Sequence, residues 1–327
     1  MDRPGALAAV RTAVAAFAAG LGDERWCVAL SGGADSLSLT AAAAALRPTT
    51  ALIVDHQLQP DSASVAASAR EQALSLGCID AQVIPVQVGT TGGPEAAART
   101  ARYQALDTAR AGAPVLLGHT LDDQAETVLL GLGRGSGPRS IAGMRPHDPP
   151  WCRPLLGVRR AVTVAACAEL EVTPWQDPHN TDRRFTRVRL RNEVLPLLED
   201  VLGGGVAEAL ARTAAALRAD TDTLDDLAGQ SLAGLRVAGA LTVAGLEAMP
   251  EALRRRVIRR WLLDGGAAGL TDKQIRAVDA LVVSWRGQGG VAVGSPLRDQ
   301  RLFAGRRGGM LTLHTEPVGN MKNCARA

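Results

Sequence analysis

The sequence predicts an α/β fold: a parallel sheet flanked by helices, followed by a smaller C-terminal α/β domain. Short apolar runs alternate with helical stretches through the first half of the chain, and glycine-rich turns separate them. Such alternation is typical of right-handed βαβ units, which build parallel sheets. Three consecutive glycines at 203–205 then interrupt the pattern. We therefore expect a first domain over residues 1–202 and a second over residues 203–327.

In the first domain we expect four strands, each followed by a helix. An Ala-rich amphipathic helix comes first, within residues 6–22, and the strands follow at 26–30, 51–54, 82–86 and 115–117. The first strand is followed by a helix that ends near residue 45. The other three strands are followed by helices over 62–76, 94–109 and 121–132. Parallel sheets bind ligands at the carboxyl ends of their strands, and the chemically distinctive residues of this half follow those ends.

Beyond the fourth strand and its helix the pattern changes. Residues 133–154 are rich in Gly, Pro and Arg and are predicted to form a long functional loop. Residues 175–191 are predicted to be irregular and basic. Helices are expected at 158–170, after the three glycines to about residue 230, at 246–263 and at 272–285, with β-like runs at 291–293 and 310–313.

Composition excludes several classes of protein. Apolar residues make up 46% of the 327 and charged residues 21%, which is ordinary for a soluble globular chain. The net charge of +3 is too small by itself to indicate a nucleic-acid-binding protein. The five cysteines include no C-x-x-C pair, and no apolar run approaches the roughly 18 residues that span a bilayer. We expect a cytoplasmic protein with reduced thiols and no membrane segment.

A candidate phosphate-binding loop follows the first strand. It reads S-G-G-A-D-S from Ser31 to Ser36, so two glycines let backbone N–H groups approach an anion and the serines add hydroxyl donors. The next helix begins there and adds the positive end of its dipole. Asp35 repels a phosphate by itself, so its useful role is to hold Mg²⁺. No lysine precedes Lys273, so this is not a Walker-type loop.

Two acidic side chains form a second candidate site after the fourth strand, in the segment G-H-T-L-D-D-Q-A-E-T at 118–127. Asp123 and Glu126 are three residues apart on a helix face, which suits an ammonium ligand or a metal ion. Asp123 also has capping-box spacing from Thr120, so a purely structural role stays open for it. Five arginines within residues 183–191 indicate a footprint for RNA phosphates, with a solvated charged face as the alternative.

The phosphate loop resembles the PP-loop signature of the N-type ATP pyrophosphatases. That superfamily has an adenine-nucleotide α-hydrolase-like fold and cleaves ATP to AMP and pyrophosphate while adenylating a substrate oxygen. Within it, the remaining motifs are similar to those of the tRNA(Ile)-lysidine synthetases. They are V-D-H-Q-L at 54–58, E-A-A-A-R-T-A-R-Y at 95–103, the segment at 118–127, G-R-G-S-G at 133–137 with G-M at 143–144, R-P-L-L at 153–156 and D-P-H-N-T-D-R-R-F at 177–185. Gln59, Thr120 and His179 depart from the family pattern.

The resemblance implies roles for individual residues. It implies that ATP is bound by Ser31, Gly32, Gly33, Ala34, Asp35, Ser36, Val54, His56, Gly118, His119 and Arg134. It implies catalytic roles for Asp35, Arg99 and Asp123, with Asp35 as the Mg²⁺ ligand. Free L-lysine is then expected to be recognised by Arg99, Asp123 and Glu126. The expected contacts with tRNA come from Arg183, Arg184, Arg187, Arg189 and Arg191.

The reaction that the resemblance implies joins free lysine to C2 of the wobble cytidine of a tRNA(Ile) with a CAU anticodon. An adenylated base is the expected intermediate, AMP and pyrophosphate are the other products, and ATP and Mg²⁺ are the cofactors. Residues 1–202 are expected to be catalytic, residues 203–327 to be a helical linker and a small tRNA-contacting domain, and the assembly to be a homodimer. Two alternatives stay open: a PP-loop tRNA thiolase, which usually needs relay or cluster cysteines, and a non-catalytic nucleotide- or tRNA-binding protein.

Overall fold

The computed structural model describes residues 5–22, 25–57, 61–89, 93–135, 137–297 and 299–317. Leu58, Gln59 and Ser136, and the side chains of Glu95 and His179, belong to the motifs above but lie outside the described part. The chain divides into two compact units, and the division falls after Ala215. The predicted functional division after residue 202, between a catalytic and a tRNA-contacting domain, stays a prediction.

The first unit is built on one six-stranded sheet. Its strands are β1 (Trp26–Ala29), β2 (Thr49–Asp55), β3 (Asp80–Pro85), β4 (Val115–Leu117), β5 (His147–Asp148) and β6 (Trp151–Cys152). They lie in the order β3-β2-β1-β4-β6-β5. Neighbouring strands are parallel, except that β5 is antiparallel to β6. The four predicted strands and their parallel arrangement are confirmed.

Helices connect and cover these strands. They are α1 (Ala6–Ala18), α2 (Ala34–Ala44), α3 (Ser62–Ser75), α4 (Pro94–Ala109), α5 (Leu121–Gly133), α6 (Pro138–Ile141), α7 (Arg160–Glu169), α8 (Thr186–Arg189), α9 (Leu195–Val201) and α10 (Val206–Leu235), which continues into the second unit. The predicted helices between the strands are confirmed close to their predicted ends.

Both faces of the sheet are covered, which explains why its central strands are continuous apolar runs. Successive residues of a strand point to opposite faces. On one face, Val14 of α1 and Leu39 of α2 pack in a cluster with Trp26. On the other, Leu106 of α4 packs in a cluster with Leu52. The central strands are therefore held between two helical layers, which gives the loops at their ends a rigid base.

The strand order creates a topological switch point beside β1. From β1 the chain runs outward through β2 and β3, and it then returns to β4 on the other side of β1. The loops that leave β1 and β4 therefore diverge at the same edge of the sheet, and open α/β sheets bind ligands in such a crevice. These two loops contain the two candidate sites, which begin at Ser31 and Gly118.

Two segments differ from the sequence prediction. Residues 133–154 do not form one long loop, because they contain α6 and the strands β5 and β6, which extend the sheet beyond β4. Two-residue strands are too short to show an alternating pattern, so only their pairing reveals them. Residues 175–191, predicted to be irregular, contain a 3₁₀ turn (Pro178–Thr181), α8 and the start of a π-helical turn (Leu190–Val194).

The second unit is an antiparallel sheet packed with helices. Its strands are β7 (Arg236–Val237), β8 (Ala240–Thr242), β9 (Val291–Val293), β10 (Gln300–Arg307) and β11 (Met310–Pro317), in the order β7-β8-β11-β10-β9. Helices α11 (Val243–Glu247), α12 (Glu251–Asp264) and α13 (Asp272–Val283) share its core around Trp261. The predicted single helix at 246–263 is wrong, because Pro250 separates α11 from α12.

The strands predicted at 291–293 and from 310 are confirmed, whereas the sequence pattern does not predict β10. Gly305 and its neighbouring arginines obscure the alternation in that strand, and its pairing with β9 and β11 decides its structure. Across both units, none of the helices in the described ranges is long and apolar enough to cross a membrane.

Candidate active site at the carboxyl ends of β1 and β4

The loop from Ser31 to Ser36 is held in shape by its own hydroxyl groups. Ser36 Oγ donates to the Gly33 carbonyl over 3.0 Å and accepts from the Ser31 amide over 3.2 Å. Gly32 has a φ of +79°, which would strain any other residue, and its carbonyl accepts from the Trp175 amide. Gly33 is the N-cap residue of α2 and has no side chain to cap that helix. The loop therefore presents an uncapped helix start, which suits an anion.

Gly118 brings the loop after β4 against the phosphate loop. A Cβ atom at this position would lie 3.0 Å from the carbonyl carbon of Asp35 and 3.1 Å from the amide nitrogen of Ser36. Real Cβ atoms are rarely this close to backbone, so a side chain at position 118 pushes the two loops apart. The glycine at the start of the second motif is therefore required by the close approach of the first.

We expect Gly118→Ala to lower ATP-dependent activity about a hundredfold, because the methyl group displaces the backbone that positions the reacting groups. Pyrophosphate release in the presence of all substrates measures the effect. Gly229→Ala is the matched control, since a Cβ at that position meets nothing within 4 Å. Equal activities of the two variants would show that the close contact at Gly118 does not contribute to activity.

Asp123 divides its two carboxylate oxygens between structure and site. Oδ2 accepts from the Thr120 amide over 2.8 Å and from its hydroxyl over 2.9 Å, which completes a capping box at the start of α5. Oδ1 lies 2.7 Å from Nη2 of Arg160 and 3.3 Å from Nη2 of Arg191. Burial by itself raises the pKa of Asp123. Arg160 and the Thr120 amide outweigh burial and hold this pKa below its ordinary value. The capping role and a binding role are therefore compatible.

Glu126 is fully buried nearly one turn further along α5. Oε1 lies 2.7 Å from Nε of Arg191. Oε2 lies 3.7 Å from Nη1 of Arg187 and accepts no hydrogen bond from the described residues. Burial raises the pKa of Glu126, and the hydrogen bond from Arg191 opposes that shift. A buried carboxylate oxygen without a donor is energetically costly, so a ligand with an N–H group is favoured here.

The five arginines predicted to contact RNA divide into two groups. Arg187 and Arg191 reach Asp123 and Glu126, which together form the acid pair. Arg191 also belongs to the π-helical turn, a geometry that often marks functional sites. The other three pair with acids near them in sequence and have side chains that are 77%, 85% and 59% exposed: Arg183, Arg184 and Arg189. The predicted footprint thus has an inner part and a surface part.

Asp35, the carboxylate of the phosphate loop, is held by two residues of α7. Oδ2 lies 2.9 Å from Nε of Arg160, and Oδ1 accepts from the hydroxyl of Thr163. Burial raises the pKa of Asp35, and Arg160 opposes the shift. Arg160 thus joins Asp35 to Asp123, and its backbone amide donates to Asp122 over 2.7 Å. Sequence reasoning missed Arg160 and Thr163, because both lie outside the motifs and only the packing of α7 on α2 brings them here.

His56 and His119 follow β2 and β4 beside a group of arginines. Burial and nearby Arg102 lower the pKa of His56, and burial lowers the pKa of His119 to about 4. Nδ1 of each ring and Nε of Arg102 are buried without a hydrogen-bond partner in the described structure. Arg99 donates to the Tyr103 hydroxyl over 3.2 Å. Both rings are neutral near pH 7, and Nδ1 of each ring forms no hydrogen bond with the described residues.

Acid is expected to destabilise the first unit through His119. The ring titrates near 6.5 when unfolded and at about 4 when folded, so the unfolded chain binds more protons between these values. The contribution of His119 to stability is complete above pH 6.5 and is lost as the pH falls toward 4. We expect the decrease in Tm between about pH 7 and pH 4.5 to be smaller in His119→Asn than in the wild type. The exposed His147 provides the control, and His147→Asn should keep the wild-type pH dependence.

Val54 and Arg134 are also predicted to bind ATP. Val54 is half-buried in β2, two residues before His56. Arg134 is exposed and follows α5 at its C-terminal end, roughly 20 Å along the helix axis from Leu121. Its role in ATP binding stays a prediction.

Gln124 connects the acidic helix to the G-M segment. Its Oε1 accepts from the Met144 amide over 2.7 Å, and its Nε2 donates to the Met144 carbonyl over 3.1 Å. Gly143 has a φ of +65°, and a Cβ there would lie 2.6 Å from Gln124 Oε1. The amide of Gln124 therefore fixes the end of the segment that follows α5.

Four of the five cysteines lie in the part of the chain that the structure describes, and all four are buried. Burial raises the pKa of Cys78, Cys152 and Cys167 to about 11, so these groups are protonated thiols. Cys27 is also buried, and its pKa is raised by burial. Within the ranges that the structure describes, no three His, Cys, Asp or Glu side chains are grouped to hold a metal ion. A thiolase usually needs relay or cluster cysteines, and none of these four described thiols is exposed.

A family model described as a PP-loop domain matches residues 7–198, the range that contains both candidate sites. A second, described as a TilS substrate binding domain, matches residues 241–306. Together with the phosphate loop at the switch point, these matches define the class: the chain is a PP-loop enzyme that uses ATP.

Two curated relatives, the tRNA(Ile)-lysidine synthases of Mycobacterium tuberculosis and Mycobacterium bovis, are each 71% identical over 324 residues, which cover 97% of this chain and 100% of the relative. The tRNA(Ile)-lysidine synthase of Rhodococcus erythropolis is 61% identical, over 95% of this chain and 96% of its own. The chain belongs to the tRNA(Ile)-lysidine synthase family. It is a ligase that forms a carbon–nitrogen bond, and its substrate is a tRNA.

Among solved structures, a U34-tRNA thiolase from Methanococcus maripaludis is similar with a TM-score of 0.53. The match covers 65% of this chain and 79% of that chain at 16% sequence identity. At this identity the similarity shows a shared fold alone.

Proposed function

We propose that the enzyme joins the ε-amine of free L-lysine to C2 of the wobble cytidine of a tRNA(Ile) with a CAU anticodon. The cytosine 2-oxo group attacks the α-phosphorus of ATP, and pyrophosphate leaves. Lysine then attacks C2 of the adenylated base, and AMP leaves with the former 2-oxo oxygen. Family membership supports the use of ATP and tRNA. The lysine step rests on the chemistry of the acid pair.

One observation carries the proposal: the phosphate loop and a buried acid pair meet in one site. Asp35 and Asp123 bind the same guanidinium, that of Arg160, at 2.9 and 2.7 Å. Glu126 beside them has a buried oxygen without a donor. An uncapped helix start suits a triphosphate, and buried carboxylates suit an ammonium group. A site with both features holds the two small substrates close together, which is a large part of catalysis.

Asp35 is the residue that holds Mg²⁺ together with the ATP phosphates in this proposal. The donor set fits, since Mg²⁺ in nucleotide sites usually takes one or two carboxylates and completes its coordination with phosphate oxygens and water. The bound ion offsets negative charge that develops on the phosphates. The amides of the loop and the start of α2 provide the same compensation from the protein itself.

The acid pair binds the α-ammonium group of lysine rather than its ε-amine. The ε-amine has to be neutral to act as a nucleophile, and a direct carboxylate contact would keep it protonated. Glu126 provides Oε2, which has no donor, and Asp123 provides Oδ1. Arg99 acts near His119, whose pKa it influences, and completes the proposed catalytic set with Asp35 and Asp123.

The surface arginines provide the proposed contact with the tRNA backbone. Arg183, Arg184 and Arg189 form exposed ion pairs, which contribute little to stability and exchange readily for phosphate groups. Arg187 and Arg191 continue this basic surface toward the acid pair. We further propose that the enzyme acts in the cytoplasm as a homodimer.

Mass analysis of nucleosides tests the proposal after the enzyme is incubated with ATP, isotopically labelled lysine and a tRNA(Ile) transcript. The expected product is a cytidine whose mass increases by that of labelled lysine minus water. Sustained pyrophosphate release is expected to need both lysine and tRNA. Pyrophosphate release that needs tRNA but not lysine, with no lysine added to the cytidine, would indicate a thiolase instead. No pyrophosphate release with any combination would identify a non-catalytic binding protein.

A further inference from the structure

Arg160 occupies a central position that the reaction scheme leaves unexplained. It is the first residue of α7, and its guanidinium binds carboxylates from two different loops. Nε lies 2.9 Å from Asp35 of the phosphate loop, and Nη2 lies 2.7 Å from Asp123 of the acid pair. One cation therefore balances a carboxylate of the nucleotide subsite and a carboxylate of the proposed lysine subsite at the same time.

The third guanidinium nitrogen points to an additional acceptor. Nη1 of Arg160 is buried and has no hydrogen-bond partner among the described residues. An unsatisfied donor on a charged group is costly when buried, so a rearrangement that provides an acceptor is favoured. The side chain as a whole is 23% exposed, so a ligand in the cleft reaches part of it. In the proposed function, the most highly charged anion beside Asp35 is the triphosphate of ATP. Arginine binds phosphate through paired N–H groups.

We propose that Arg160 couples the two small substrates: bound triphosphate takes over its guanidinium and thereby releases Asp123 for the ammonium group of lysine. This inference rests on the proposed function, because it takes the two subsites as given. Without nucleotide, Arg160 competes with lysine for Oδ1 of Asp123. The nucleotide removes the competitor, so it strengthens lysine binding, and by linkage lysine strengthens nucleotide binding by the same factor. Arg160 is a positioning residue in this scheme.

Calorimetric titration of lysine tests the coupling, with and without an ATP analogue whose α,β-bridge resists cleavage. We expect the analogue to lower the Kd for lysine about tenfold in the wild type, within the usual range of coupling between sites. The coupling factor is the Kd for lysine without the analogue divided by the Kd with it. In Arg160→Gln this coupling factor is expected to fall to about one. Arg160→Lys keeps the charge but cannot bind both carboxylates, so its factor is expected to be smaller than that of the wild type. The reverse titration, of the analogue with and without lysine, should return the same factors.

Arg159→Gln is the matched control, because Arg159 is the neighbouring cation and pairs with Asp122 and Glu208 instead. It is expected to keep the wild-type coupling factor. Thermal unfolding shows whether Arg160→Gln and Arg160→Lys are folded. One folded variant is enough for the test. A wild-type factor near one, or full coupling in a folded Arg160 variant, overturns the inference and leaves the proposed function intact. If wild-type enzyme binds no lysine with nucleotide and tRNA present, the proposed function fails, and the inference fails with it.

Discussion

Asp35→Ala is expected to lower the rate of lysine incorporation into tRNA about a thousandfold, which in most assays is complete loss. The variant removes the carboxylate that is proposed to hold Mg²⁺ and that orients the phosphate loop against α7. The fold is expected to persist, because Arg160 keeps Asp123 as a partner and is not left as an unpaired buried charge. Incorporation of labelled lysine and the circular dichroism of the variant measure the two effects separately.

Thr163→Val provides the comparison for this variant. It has nearly the same shape, removes the hydroxyl that donates to Asp35, and leaves the carboxylate in place. We expect it to lower the rate about ten- to a hundredfold, less than Asp35→Ala does, since one hydrogen bond to a charged group contributes about 1.5–3 kcal/mol and each 1.36 kcal/mol is a factor of ten in rate. Near-normal lysine incorporation by Asp35→Ala would refute the role of this carboxylate.

Glu126→Gln is expected to raise the KM for lysine about tenfold or more while changing the KM for ATP little. The substitution keeps the size of a fully buried side chain but removes the charge that attracts an ammonium group. Asp123→Asn is expected to act in the same direction, and its amide oxygen still accepts from Thr120 at the start of α5. Initial rates at varied lysine and at varied ATP give the two KM values for each variant.

The control for these two variants is Glu193→Gln, which changes an acid that pairs with Arg183 and Arg189 on the surface. Its KM for lysine is expected to stay at the wild-type value. Equal increases of both KM values in Glu126→Gln would falsify a specific role in lysine recognition. They would indicate a general distortion of the site instead.

The main features of the first unit were predictable from the sequence because each is encoded in a contiguous segment. The strands over residues 26–30 and 115–117 appear as β1 and β4, and the loop after each one starts a candidate site. A glycine-rich turn between a strand and a helix has few possible conformations, so its motif predicts its backbone. The capping box at Thr120 is likewise local, and the structure contains it as the spacing predicts.

The division of the five arginines was not predictable in this way. All five stand in one short basic segment, and their spacing gives no sign that Arg187 and Arg191 reach the acid pair while Arg183 stays exposed. Their directions depend on α8 and on the π-helical turn after it, which shift the side chains relative to a regular helix. The strands β5 and β6 are a similar case, because only a neighbouring strand stabilises so short an extended segment.

By itself, the sequence determined the class of fold, the phosphate loop and the acid pair, since residues close together in the chain set each of them. The tertiary structure alone decided how these parts combine. Arg160 binds Asp35 across 125 positions of sequence and Asp123 across 37, and Gly118 presses against the backbone of a loop from another strand. Such contacts depend on how helices and strands pack. When one cation is shared by two carboxylates that are distant in the chain, no periodicity or spacing in the sequence indicates the contact.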